Sequence, residues 1–238
     1  LAQFFRDRTR NVTEQTFEHV DLQGDTLYLC NIVASFWPAK GARVLLGAHW
    51  DTRPRADRDP DTTRRHLPIL GANDGASGVA VLMEIANALS SREPPVGVDI
   101  VLFDGEDYGE EGNPQEYLLG SRHFASAMKE YRPVWGAIVD MVGDRDLGIP
   151  QERVSLSRAP GVVRMVWDEA LRQGAESFKP WPGQAIMDDH WPLLDRGVPC
   201  IDIIDFDYPY WHTHQDVPER CSPRSLAEVG GVLLGVIY

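Results

Sequence analysis

The stretch VDIVLFDGED, residues 98–107, decides the fold. A largely apolar, β-branched run at 98–103 breaks off abruptly into Asp104-Gly105-Glu106-Asp107. Such a run, without regular alternation, is what a strand buried on both faces requires. The pattern recurs outward from it: 43–48, 134–139 and 198–204 have the same character, and 26–34 is a fifth candidate strand. Segments of helical period lie at 75–90, 119–129, 160–173 and 223–236. In the first, Val79, Leu82, Met83, Ala86 and Leu89 fall on one face. Asp74 stands just before it, where an N-cap is expected. Strands alternating with helices predict an α/β fold, a largely parallel sheet with helices on both sides. Two long stretches break this rhythm, a charged one at 53–68 and a Gly/Glu/Pro-rich one at 108–117. Loops of such length in a compact domain are usually functional or disordered. No linker composition interrupts the chain, so residues 1–238 are expected to form a single domain.

Composition narrows the function. Hydrophobic residues at 43% and charged residues at 25% are ordinary globular values, which excludes wholesale disorder. Lys plus Arg number 23 against 36 Asp plus Glu, a formal net charge of −13, so a nucleic-acid partner is not expected. No apolar run approaches the roughly 20 residues of a membrane span, and the stretch from Gly230 to Tyr238 reads as the end of a packed helix. Cys30, Cys200 and Cys221 are too few for a disulfide framework. No signal-peptide pattern follows Leu1.

The chemistry gathers where strands end. The run at 43–48 leads into His49-Trp50-Asp51, that at 98–103 into Glu106 and Asp107, that at 134–139 into Asp140, and that at 198–204, after an aromatic loop, into His212. Asp74 sits where a loop enters a helix. Open α/β sheets bind ligands at the carboxyl ends of their strands. Mixed His and carboxylate donors suit zinc, and a spare carboxylate beside a metal serves as general base. Taken singly each signal is weak: Asn73-Asp74-Gly75 is commonly a turn, and an acidic run is commonly a solvated one. Their joint placement at successive strand ends makes the case. His19, His66, His123 and His190 show no partner pattern and read as structural or surface residues, while His214 competes with His212 as a ligand.

Seven segments, in order, resemble one known group: GAHWDTRP (47–54), ILGANDGASGVAVLMEIA (69–86), LFDGEDYG (102–109), LGSRHFA (119–125), VDMVG (139–143), MDDHWPLLDRGVPC (187–200) and YPYWHT (208–213). Together they resemble the zinc-dependent aminopeptidase family that also contains the animal-type glutaminyl cyclases. The resemblance implies a three-layer α/β/α sandwich with a mixed, mostly parallel central sheet, like that of zinc exopeptidases. It implies Asp74, Asp107 and His212 as zinc ligands, Glu106 as general acid/base, and His49 with Asp140 as a possible second-metal pair. Asp188 is implied to join Glu106 and Asp140 in a hydrogen-bonded acidic relay, and Trp211, Tyr208 and Ile186 to enclose the substrate side chain.

Two chemistries share that frame. The cyclases use one zinc to close an N-terminal glutamine on itself with release of ammonia, and the aminopeptidases use two to hydrolyse the first peptide bond. Asp188 before the Asp189-His190 pair, Trp211 before His212 and the Pro-Gln core of residues 110–122 lean towards a cyclase acting on peptides or proteins with N-terminal Gln. GAHWDTRP and GEDYG resemble bacterial members most, and that resemblance implies a periplasmic or secreted protein. Departures from the animal pattern are Tyr208 in place of Phe, Ala48 in place of a Cys, and no Trp near Gly112. The alternatives are a two-zinc aminopeptidase and a binding domain that keeps the scaffold without catalysis.

Overall fold

The computed structural model describes residues 1–238. A short helix α1 (Ala2–Arg6) precedes an antiparallel hairpin of β1 (Val12–Val20) and β2 (Thr26–Phe36). Next come β3 (Arg43–His49), α2 (Ala76–Ser91), β4 (Gly97–Phe103), α3 (Leu119–Ala127) and β5 (Trp135–Asp140). They are followed by β6 (Ile149–Gln151), α4 (Arg153–Arg158), α5 (Pro160–Gln173) and β7 (Phe178–Pro182). The chain closes with α6 (His190–Asp195), β8 (Cys200–Ile204) and α7 (Pro223–Ile237).

Six strands form one sheet in the order β1-β2-β4-β3-β5-β8. The pairs β4–β3, β3–β5 and β5–β8 are parallel, and β1–β2 and β2–β4 antiparallel, so the sheet is mixed and mostly parallel as expected. Helices α2, α5 and α7 pack together over one face and α3 with α6 over the other, giving the three layers. Every residue of β4 and β8 is buried, which is why these strands read as largely apolar runs, interrupted only by the buried carboxylates Asp99 and Asp202. β1 lies outside the expected strands because it is an edge: its sequence VTEQTFEHV is mostly polar and none of its residues is buried. β6 and β7 form a separate two-stranded sheet, also unforeseen, since three to five residues rich in proline carry no period. No helix is long and apolar enough to cross a membrane.

Helix α2 sets the site. It buries Val81 and Ile85 as well as Val79, Leu82, Ala86 and Leu89, because it is pressed between the sheet and α7. Its first turn lies so close to β5 that a Cβ on Gly78 would fall 1.9 Å from the Val139 carbonyl oxygen. Gly78→Ala is therefore expected to destabilise the fold by ~1–3 kcal/mol or more, through a shift of α2 off the sheet. Denaturant unfolding of the variant checks this; unchanged stability would refute so close an approach. One local expectation is corrected. The N-cap position is Gly75, with no side-chain cap, because the Asp74 carboxylate is turned away from the helix towards His49 and His212.

Candidate metal centre and active site

The four parallel strands deliver their carboxyl ends to one edge. Gly47 pairs with Ile138, so two residues further on His49 stands beside Asp140, and Asp140 in turn pairs with Ile204. The loop before α2 brings Asp74 to the same place. His49 Nε2 lies 3.1 Å from Asp74 Oδ1 and 3.2 Å from Asp140 Oδ1. The other Asp74 oxygen faces a second group: His212 Nε2 lies 3.6 Å from Asp74 Oδ2 and 3.3 Å from Asp107 Oδ2. Two buried trios, His49-Asp74-Asp140 and Asp74-Asp107-His212, thus share one carboxylate.

The donor set fits zinc. Asp107 Oδ2 is buried without a hydrogen bond, although its partner oxygen is held by Arg53 Nη1 at 2.7 Å. A carboxylate with one oxygen fixed and one free, beside an imidazole nitrogen and a second carboxylate, is the arrangement a tetrahedral cation completes. Burial works against protonating His212, yet Asp107 and Asp57 outweigh it and raise its pKa, so positive charge is favoured there. His212 itself adopts φ +56°, in the left-handed region that few residues other than glycine enter. His214 is directed elsewhere: its Nδ1 and its backbone N–H both meet Asp59 Oδ2, at 3.0 and 2.9 Å.

Glu106, Asp140 and Asp188 line one cavity with Asp74, Asp107 and His212. Burial raises Glu106 well above the ordinary carboxyl value; His49 opposes, while Asp107, Asp188 and Asp189 add to the rise. Burial likewise pushes Asp140 up to about 7, against the pull of His49. The direct bonds of the expected relay are not formed: no hydrogen bond joins Glu106 to Asp140 or Asp188. The Asp188 carboxylate instead accepts from the Asp189 backbone N–H, and it bears on Glu106 and on Asp140 through charge. Trp211 and Ile186 are on the cavity wall, and the indole of Trp211 stacks on the His212 ring at 3.8 Å. Tyr208 is not on it. Its ring packs behind with Met141 and Ile204, because its hydroxyl finds a buried acceptor, Asp216 Oδ1, at 2.9 Å.

Several residues outside the expected ligand and catalytic set organise the site. Asp216 accepts from the backbone N–H of Asn73 and Asp74 and so holds the ligand loop. Asp51 does the same for Glu106 and Asp107, at 3.1 Å each. Arg53, 1% exposed, forks between Asp107 and Asp57, and Asp57 Oδ1 lies 3.2 Å from His212 Nδ1. The first part of the charged loop, residues 53–59, therefore belongs to the site, while residues 60–68 are exposed.

Glu152 braces the far wall. It caps α4 through Val154 N–H and Ser155 N–H, accepts from Ile186 N–H at 3.1 Å, and faces His190. Burial alone would raise its carboxyl, but His190 and those N–H bonds hold it down at about 2. Its stabilising contribution is then complete above its ordinary value of 4.5 and lost as pH falls towards 2. Glu152→Gln should be less stable than wild type at neutral pH, with the gap closing as acid is added across that window. Thermal unfolding as a function of pH measures it; a gap that stays constant would refute the linkage.

The comparisons agree with this fold. The Zn-dependent exopeptidase of Parabacteroides distasonis superposes with a TM-score of 0.96 at 36% identity, covering 100% of this chain and 87% of that one. The Tannerella forsythia glutaminyl cyclase superposes with a TM-score of 0.95 at 39% identity, again covering 100% and 87%. The glutaminyl-peptide cyclotransferase-like protein of Mus musculus is 27% identical over 85% of this chain, which spans only 58% of the mouse protein. Peptidase family M28 matches residues 31–237, from the second strand of the hairpin to the end of the last helix, and the chain belongs to that family.

Proposed function

We propose that this chain is a zinc-dependent glutaminyl cyclase, converting N-terminal glutaminyl peptides to pyroglutamyl peptides with release of ammonia. The observation that carries the reading is the pairing of Glu106 and Trp211 on one cavity of about 320 Å³, beside the Asp74-Asp107-His212 trio. A carboxylate and an aromatic wall flanking a metal-capable trio suit a single amide side chain held next to its own α-amine. Similarity at 36–39% identity to proteins described as glutaminyl cyclases supports it.

Asp74, Asp107 and His212 would hold one zinc, which when bound supplies a Lewis acid that polarises the γ-carbonyl of the substrate. Trp211 and Ile186 would enclose the methylene arm and exclude water. Glu106 would accept a proton as the α-amine nitrogen attacks Cδ. The new N–Cδ bond forms, the bond from Cδ to the amide nitrogen breaks, and Glu106 returns the proton to the departing ammonia. Asp188, with Asp107 and Asp189, would favour the protonated form of Glu106. Because the nucleophile is internal, orientation of the substrate is the chief demand on the protein.

The shared Asp74 also favours a second reading, a two-zinc aminopeptidase with His49 and Asp140 on the second ion. Metal analysis with a product assay separates them. One zinc per chain, and ammonia without free amino acids from a Gln-initiated peptide, is expected. Two ions with stepwise release of N-terminal residues would overturn the cyclase reading.

A further inference from the structure

A second groove, of about 300 Å³, adjoins the cavity of the site. The two share four wall residues, Gln184, Ile186, Ile204 and Phe206. Phe206 is the link: its ring lies 5.0 Å from that of Trp211 on one side, and it lines the second groove on the other. Across that groove stands Trp181, 55% exposed, the only tryptophan among the exposed large apolar side chains. An indole left in water beside a catalytic cavity is the kind of amphipathic surface that binding uses.

The groove is held in shape by its backbone. Gly183 N–H donates to the Gln151 carbonyl at 2.8 Å, Arg153 N–H to the Gln184 carbonyl at 2.9 Å, and Ile186 N–H to Glu152 at 3.1 Å. Gly183 also rests so tightly on Pro150 that a Cβ there would come within 2.8 Å of the proline ring. Its charge is one-sided. Glu152 and Asp207 line it, no Lys or Arg does, and Asp207 is exposed.

We propose that this groove is the subsite for the residue that follows the reacting N-terminal residue, and that it selects a large apolar or aromatic side chain there and rejects an acidic one. The inference rests on the cyclase reading for the identity of the first residue. Continuity of the wall directs the tail: a chain leaving the slot beneath Trp211 crosses Phe206 and advances about 3.3–3.6 Å per residue. The next side chain then meets Trp181, and an acidic one meets Asp207 with no cation to compensate.

The test uses the zinc-loaded protein and three peptides, Gln-Phe-Ala-amide, Gln-Gly-Ala-amide and Gln-Glu-Ala-amide. Ammonia release should give a kcat/KM about tenfold higher for Phe than for Gly, with Glu below both. Trp181→Ala should bring the Phe/Gly ratio towards one through KM, and Asp207→Asn should lift the Glu peptide towards Gly. Equal kcat/KM for Phe and Gly, or a ratio that survives Trp181→Ala, overturns the subsite while leaving the cyclase reading intact. If no peptide releases ammonia, the cyclase reading falls, and anisotropy titration with the same peptides carrying a dye on an added C-terminal lysine decides the groove alone. Tighter binding of the Phe peptide, lost in Trp181→Ala, supports it; equal binding of all three overturns it.

Discussion

Glu106→Gln is expected to lower turnover on a Gln-initiated peptide by ~10²–10⁴-fold with zinc still bound. The magnitude follows from removing a positioned proton carrier while every proposed ligand stays. The ligand loop keeps its support too, because Asp51 holds residues 106 and 107 through their backbone N–H groups and not through the Glu106 carboxylate. Folding should not suffer. The Glu106 side chain is half-buried beside Asp107, Asp188 and Asp189, and an amide of the same shape never takes on the charge those acids oppose. Thermal stability of the variant should therefore equal or exceed that of wild type, so lost activity cannot be blamed on a lost fold. Metal analysis, thermal unfolding and ammonia release are measured on the same preparation. Near-normal turnover would remove Glu106 from the mechanism.

The site's principal residues were legible because their signals are local. An apolar run that stops at a carboxylate or histidine announces a buried parallel strand and its carboxyl end together, and His49, Glu106, Asp107 and Asp140 all follow that rule. The neighbouring order of the strands is not local, and it is what sets β3 between β4 and β5 and so brings His49 beside Asp140. Asp74 reads locally as a helix cap, but its carboxylate is turned towards two imidazoles from distant segments. Tyr208 failed the same way: its position in the motif suggested a wall, and Asp216, eight residues later, drew its hydroxyl behind that wall. Glu152, His190 and Asp202 form a buried group whose members lie on α6, on β8 and at the cap of α4, and none is marked by period or spacing. Short elements such as α4 and α6 carry too few residues for an amphipathic pattern, so tertiary contact alone defines them.

Arg53→Leu is expected to cost about 3–5 kcal/mol of stability and ~10–100-fold in zinc affinity, although Arg53 is assigned no contact with metal or substrate. The guanidinium is 1% exposed and serves both halves of the trio at once. Its Nη1 donates to Asp107 Oδ1 at 2.7 Å and to the Asp107 carbonyl at 3.0 Å. Its Nε donates to Asp57 Oδ1 at 3.0 Å, and the same oxygen lies 3.2 Å from His212 Nδ1. Asp107 and His212 are thus oriented through one planar fork, which leaves Asp107 Oδ2 and His212 Nε2 facing each other. An apolar residue would take the guanidinium away from two carboxylates, and that loss adds to the desolvation already present at Asp107. Saturating zinc should recover part of the stability, because a ligand of the folded state shifts unfolding by mass action. Arg53→Lys separates charge from shape: it keeps the cation but cannot reach Asp107 and Asp57 in parallel, so affinity should fall while stability is better kept. Denaturant unfolding with and without zinc, and zinc competition against a chelator, measure the two effects. If Arg53→Leu binds zinc as wild type does, the free oxygen of Asp107 is oriented by the strand end alone, and the loop at 53–68 has no part in shaping the metal centre.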